Sequence, residues 1–297
     1  AVPSLEGLAE AGHQLAGVFS QPDKPVGRHH NKLQPTPVKE RALALGVPVY
    51  QPGTLRDGTA LAILRELDPE LVVVAAYGRF LPDDILALPP KGCVNVHSSL
   101  LPKYRGSAPI NWAILNGERV TGVTIQRMVH DMDAGDIILQ RSTPIGETED
   151  AAALYDRLAV MGGELAVEAA AQIEAGTAIY TPQDHTQATQ APMLSKAMSP
   201  VDWTRSAQEV FNQIRGLYPW PGASTTAITG EPIKLWGAQV VEKHTDAGPG
   251  TIVAAGKQGI DVACGEFNHV LRILELQPPG KKRMTAAAYL AGNPIQV

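Results

Sequence analysis

The alternation of apolar and polar positions divides the chain into two stretches of different character. Over the first 175 residues, helical spacing predicts helices at 4–11, 35–45, 58–67, 108–116 and 150–175. Between them, strands are predicted at 13–19, 47–50, 71–76, 93–97, 121–129 and 136–145. The run Leu71-Val72-Val73-Val74-Ala75-Ala76 is apolar at every position, as in strands covered on both faces by helices. Alternating strands and helices predict an α/β domain with a mostly parallel sheet and helices on both faces.

After Gly176 the pattern changes. Residues 177–205 carry Thr, Gln, Pro and Ser with little periodicity, and Ser206 and Glu209 then form a capping-box signature for a helix over 206–215. Short strands follow at 233–241, 251–255, 260–264 and 269–276, separated by Gly and Pro. That spacing predicts a small barrel or sandwich. The expected division is a first domain over 1–190, a linker over 191–205 and a second domain over 206–297. Trp203 and Trp220 are expected to pack where the two domains join.

Composition narrows the class. With 297 residues, 44% of them hydrophobic, the chain can bury a substantial core and is not a disordered protein. Cys93 and Cys264, the only cysteines, lie 264 − 93 = 171 positions apart, a pattern of neither a disulfide framework nor a zinc site. A reducing compartment, the cytoplasm, is expected. No apolar run approaches the ~20 residues of a membrane span, so no membrane partner is expected. The 25 basic and 30 acidic residues give 25 − 30 = −5, which taken whole argues against a nucleic-acid binder. Locally the balance reverses: Lys24 to Arg41 holds five basic residues and one acidic, or +4.

The densest polar segment is Asn95-Val96-His97-Ser98-Ser99 at the end of a predicted strand. Asn95 and His97, two apart, leave one face of the sheet at the strand end where open α/β sheets place their ligands. An amide donor beside an imidazole suits stabilising an oxyanion while moving a proton, although the same pair can merely satisfy a turn. Asp131, Asp133 and Asp136 share a Gly-containing loop. They admit three readings: a carboxylate metal site, a carboxylate orienting His97, or a solvated turn. The spacing does not match a Ca²⁺ loop. Lys103 and Arg105 stand where they could meet an anionic substrate.

The stretch from Gly92 to Gln140, together with "QPDKPVGR" near Gln21, "VDW" at Val201 and "YPWPGA" at Tyr218, resembles the folate-dependent formyltransferases over nearly the whole chain. The resemblance implies a Rossmann-like formyltransferase sheet followed by an OB-like β-barrel that binds tRNA. It implies that Asn95, His97 and Asp133 are catalytic, and that Ser99-Leu100-Leu101-Pro102 forms the folate-binding loop. Arg28 matches a basic loop contacting the tRNA acceptor end. The implied cosubstrate is 10-formyltetrahydrofolate, with no metal, and the implied acceptor is the amino group of initiator methionyl-tRNA. A monomer is expected. The alternatives within the family are formyl transfer to a small amine such as a nucleotide sugar, and hydrolysis of formyltetrahydrofolate. A non-catalytic RNA-binding protein is the alternative outside it. The family's opening strand and Gly-Thr-Pro turn have no counterpart before Ala1, so the first strand of the sheet is expected to be missing.

Overall fold

The computed structural model describes residues 1–26 and 32–297. The chain divides into two compact units. One comprises residues 1–109, 121–144 and 156–191, the other residues 110–120, 145–155 and 192–297.

In chain order the first unit opens with α1 (Val2–Glu10) and β1 (Val18–Phe19), followed by a hairpin of β2 (Lys24–Val26) and β3 (Lys32–Gln34). Next come α2 (Pro37–Ala44), β4 (Val49–Tyr50), α3 (Thr59–Leu67), β5 (Val72–Ala75), α4 (Asp83–Leu86) and β6 (Cys93–His97). After α5 (Pro109–Leu115), which falls almost wholly in the second unit, the chain continues through β7 (Val120–Arg127), β8 (Ile137–Pro144) and α6 (Ala151–Glu174), whose first turn also belongs to that unit. Local chemistry sets the start of α2. Pro37 lies in its first turn, where a missing N–H costs nothing, and the Thr36 hydroxyl accepts from the Lys39 N–H at 3.2 Å.

The parallel character holds for β1 with β4 and for β5 with β6. Within this sheet β7 runs antiparallel to β6, pairing Val94 with Arg127 and His97 with Thr124. The cause is the connection: the chain leaves β6 at His97 and re-enters the sheet at that same end, so β7 must run back. The sheet order is β5-β6-β7-β8, while β1 and β4 form a separate pair. The free edge of β5 has no strand beside it among the described residues. All four residues of β5 are accordingly only half-buried, where the apolar run predicted full burial. The strand expected over 13–19 is confined to Val18–Phe19, the residues that find partners on β4.

The second unit contains α7 (Ala207–Gly216), β9 (Ala223–Thr225), β10 (Ile233–Glu242), β11 (Ile252–Gly256), β12 (Gly259–Ala263), β13 (His269–Gln277), β14 (Met284–Thr285) and α8 (Ala286–Gly292). The capping box opens α7 as its sequence predicts, with the Ser206 hydroxyl accepting from Glu209 N–H and the Glu209 carboxylate accepting from Ser206 N–H. The strands form an antiparallel sheet of order β11-β12-β13-β10-β9, with β14 also on β13. No pairing between β11 and β9 closes it among the described residues, so the architecture seen is an open antiparallel sheet. Register shifts around Trp236 and Gly237 interrupt β10, as bulges do where a sheet coils. Val210 and Ile214 of α7 pack into a core with Leu235, Ile260, Leu271 and Ile273. Trp203 packs against this same core and donates to the Thr225 hydroxyl at 3.0 Å, whereas Trp220 is half exposed. Residues 192–205 are joined to the unit through Val201 N–H to Ser224 O (2.8 Å). Within the sheet, Asp261 and its cross-strand partner Arg272 form a two-point ion pair at 2.6 and 3.0 Å, and Lys243 lies 3.2 Å from the same carboxylate.

Candidate active site

β6 carries Asn95 and His97 on one face, and the β6–β7 register sets Gln126 beside Asn95 and Thr124 beside His97. Four polar side chains thus share one patch of sheet, because residues paired across strands point the same way. Val123 and Ile125, on the opposite face of β7, are fully buried and fix that strand's rotation.

His97 is buried, with its two ring nitrogens in different settings. Nε2 lies 2.9 Å from the backbone carbonyl of Tyr104. A carbonyl can only accept, so the ring proton there belongs to Nε2. Nδ1 faces Asp133 Oδ1 at 3.7 Å, a charge contact rather than a hydrogen bond. The Asn95 side chain makes no hydrogen bond to any described residue, which leaves its amide free to donate.

Asp133 is brought to this face by its loop. Its backbone takes the left-handed conformation at φ 51°, which Asp adopts more readily than most residues. One carboxylate oxygen accepts from Gly106 N–H at 2.8 Å, the other from Gln126 Nε2 at 2.9 Å. Gly135 completes the turn, since a Cβ there would collide with the Arg127 carbonyl. Gly106, at φ 116°, passes close to the Ala191 carbonyl, where a Cβ would sit 2.8 Å away. Among the described residues no cluster of three His, Cys, Asp or Glu side chains could hold a metal, and Asp131 is exposed.

The segment expected to bind folate is rigidly held. Thr124 Oγ1 donates to Ser99 O at 2.7 Å and accepts from Leu101 N–H at 3.2 Å, while Gln140 Nε2 donates to Leu101 O at 3.0 Å. Ser99 is fully buried with its hydroxyl on Lys103 O at 2.7 Å, and Leu101 is buried as well. Only Leu100 and Pro102 of the four are partly exposed, the latter after a cis peptide bond.

The structure therefore unites Asn95, His97 and Asp133, with Ser99 to Pro102 continuing directly from β6. Arg28 lies outside the described residues. Arg105 departs from its expected role: it is buried, its guanidinium bonded to Gln183 Oε1 at 2.8 Å and to His185 Nδ1 at 3.0 Å, and so unavailable to an anionic substrate. Sequence reading missed Gln126, Gln183 and the Gly106 N–H. Gln126 is also notable for its Oε1, which is buried without a hydrogen-bond partner among the described residues. A signal for it existed, since Thr124 and Gln126 break the apolar run of β7 with period two.

Comparison with known proteins places the chain in a family. The family model described as formyl transferase matches residues 4–170, and that of the formyl transferase C-terminal domain matches residues 193–294. The chain belongs to the formyl transferase family. It is 48% identical over 295 residues to the methionyl-tRNA formyltransferase of Moorella thermoacetica, covering 99% of this chain and 94% of that protein. It is 47% identical over 296 residues to the methionyl-tRNA formyltransferase of Alkaliphilus oremlandii, covering 100% and 94%. Among solved structures, it shares its fold with an N-formyltransferase from Helicobacter canadensis in complex with folinic acid and dTDP-3-aminofucose. There the TM-score is 0.66 at 18% identity, over 92% of this chain and 94% of that one. HypX from Aquifex aeolicus in complex with tetrahydrofolic acid gives a TM-score of 0.62 at 20% identity, covering 84% of this chain and 43% of that one.

Proposed function

We propose that this protein transfers the formyl group of 10-formyltetrahydrofolate to the amino group of methionine on initiator methionyl-tRNA, with Asn95, His97 and Asp133 as its catalytic residues. The observation carrying this reading is the free Asn95 amide two residues from His97, itself faced by Asp133, in a chain similar along its full length to methionyl-tRNA formyltransferases. The unpartnered Gln126 Oε1 is a buried acceptor on the same strand pair, and an acceptor left in that state suits a face that meets a substrate.

Formyltetrahydrofolate supplies an acyl group that is already activated, so the side chains need to orient it, stabilise charge and move one proton. Asn95 donates to the formyl oxygen as negative charge grows there, a contact of the kind worth about 3–4 kcal/mol of barrier. With Nε2 held by the Tyr104 carbonyl, Nδ1 is the His97 atom that can take the proton of the attacking amine and return it to N10 of the folate as the formyl carbon–N10 bond breaks and tetrahydrofolate leaves. Asp133 stabilises the positive charge that proton brings. Ser99 to Pro102 present a fixed backbone edge and the Leu100 side chain to the folate, and Arg28 contacts the acceptor end of the tRNA. The second unit, read as an OB-like module, binds the tRNA body. The protein acts as a monomer in the cytoplasm.

The test offers the formyl donor with initiator methionyl-tRNA, elongator methionyl-tRNA and a nucleotide amino sugar in parallel. Initiator tRNA is expected to be formylated fastest. Preference for the sugar amine, or release of formate without an acceptor, would overturn the assignment.

A further inference from the structure

Behind Asp133 stands a second layer of buried polar groups that the reaction does not use directly. Gln183 lies in the extended segment after α6 and is 5% exposed. Its Nε2 donates to two carbonyls of the acidic loop, Asp133 O at 2.9 Å and Gly135 O at 2.7 Å. Its Oε1 accepts from Arg105 at 2.8 Å through Nη2 and 3.3 Å through Nε. Arg105 offers only donors and the two carbonyls only accept, so the carboxamide has one possible orientation.

Arg105 is held in turn. Its N–H donates to Thr189 O at 2.9 Å, and its carbonyl accepts from Ala191 N–H at 2.7 Å. The next residue, Gly106, donates its N–H to the Asp133 carboxylate. Residues 105 and 106 therefore hold Asp133 twice, through its backbone by way of Gln183 and through its side chain directly.

We propose that Gln183, oriented by Arg105, is a positioning residue that locks the left-handed turn at Asp133 and so sets the carboxylate against His97 Nδ1. The inference rests on the catalytic assignment of Asp133 made above. A carboxamide is the group this place requires, because one side must accept and the other must donate twice. Glutamate keeps the acceptor for Arg105 but turns a second oxygen onto the two carbonyls. Methionine keeps the volume and loses both contacts.

The experiment measures formylation of initiator methionyl-tRNA by the full chain, wild type against Gln183→Glu and Gln183→Met. Both variants are expected to lose roughly 10- to 100-fold in kcat, the scale of a displaced catalytic group, with KM for both substrates within about twofold. In an Asp133→Ala background, Gln183→Met should cause no further loss, because residues acting as one unit are not additive. A merely structural residue would lower the melting temperature and add its loss to that of Asp133→Ala. Arg105→Lys keeps a charge but not the two-point Nε and Nη2 fork and should lose activity to a degree between wild type and Gln183→Met, while Arg105→Met should behave as Gln183→Met. The Arg105 pair serves as the same test from the other side should a Gln183 variant fail to fold. Full kcat in Gln183→Met, or additivity with Asp133→Ala, overturns the inference. A wild-type chain inactive on tRNA would instead overturn the functional reading on which it rests.

Discussion

At the residue scale, the site is a small set of groups each committed by its surroundings. His97 Nε2 is engaged by the Tyr104 carbonyl, which leaves Nδ1 as the ring nitrogen opposite Asp133. Asn95→Ala should therefore fold normally and lose roughly 10²- to 10³-fold in kcat, because it removes one donor to a developing oxyanion. Circular dichroism and a formylation assay together check this outcome. The Asn95 and His97 pair was legible in the sequence, since a spacing of two on a strand puts both on one face. Asp133 could be singled out from its neighbours only by the resemblance. The structure adds the reason, since the Gly106 N–H and the Gln126 amide both converge on Asp133. The roles of Gln126 and Gln183 could not be read. The polar period of two in β7 marks Gln126 as facing Asn95 but its role depends on strand register, and Gln183 depends on a contact across 48 to 50 positions of sequence that leaves no local signature.

At the scale of elements, periodicity predicted most helices well, because each buries a face of its own, and α2 and α7 carry side-chain caps as well. Strand lengths were less legible, since a strand extends only as far as its partner does: 13–19 shrank to Val18–Phe19 opposite a two-residue β4. The turn between β7 and β8 is equally specific. Gly135→Ala should displace the acidic loop, since the added Cβ has no room against the Arg127 carbonyl, and should reduce kcat by at least tenfold with little effect on tRNA binding. In the second sheet, Asp261 is nearly inaccessible. Burial would raise its pKa, but hydrogen bonds and charge from Arg272 and Lys243 outweigh that and hold it below the ordinary value of 3.8. A lowered folded-state pKa stabilises above the unfolded value and is lost as pH falls through the folded one. Asp261→Ala should thus cost about 3 kcal/mol at pH 7, a difference that shrinks below about pH 4 in urea titrations. The two thiols make a further test of packing. Burial pushes both Cys93 and Cys264 up to about 11, so neither should react with a thiol reagent at pH 8 until the chain unfolds, when both should.

At the scale of the whole molecule, a net charge of −5 conceals a local excess of +4 between Lys24 and Arg41, part of which is neutralised within the fold. Of the five basic residues between Lys24 and Arg41, Lys39 pairs with Asp23 at 2.8 Å and Arg41 with Glu6 at 2.6 Å. Lys24 and Lys32 remain exposed on the β2–β3 hairpin. Among the described residues of this segment Lys24 and Lys32 are the exposed cations, and tRNA binding through them should weaken as salt rises. Replacing Lys24 and Lys32 together with Gln should raise KM for tRNA severalfold and reduce the salt slope by about two, leaving kcat unchanged. The antiparallel turn of the sheet at β7 was not legible from the pattern, which reports burial but not strand direction. Formyl transfer to a tRNA-borne amine is proposed to take place on the face holding Asn95, His97 and Asp133. Its most direct test is single-turnover formylation of initiator methionyl-tRNA by wild type and His97→Ala, both saturated with donor and tRNA. The wild type is expected to transfer rapidly and the variant to lose at least roughly a hundredfold. A His97→Ala chain that formylates at the wild-type rate would contradict that assignment.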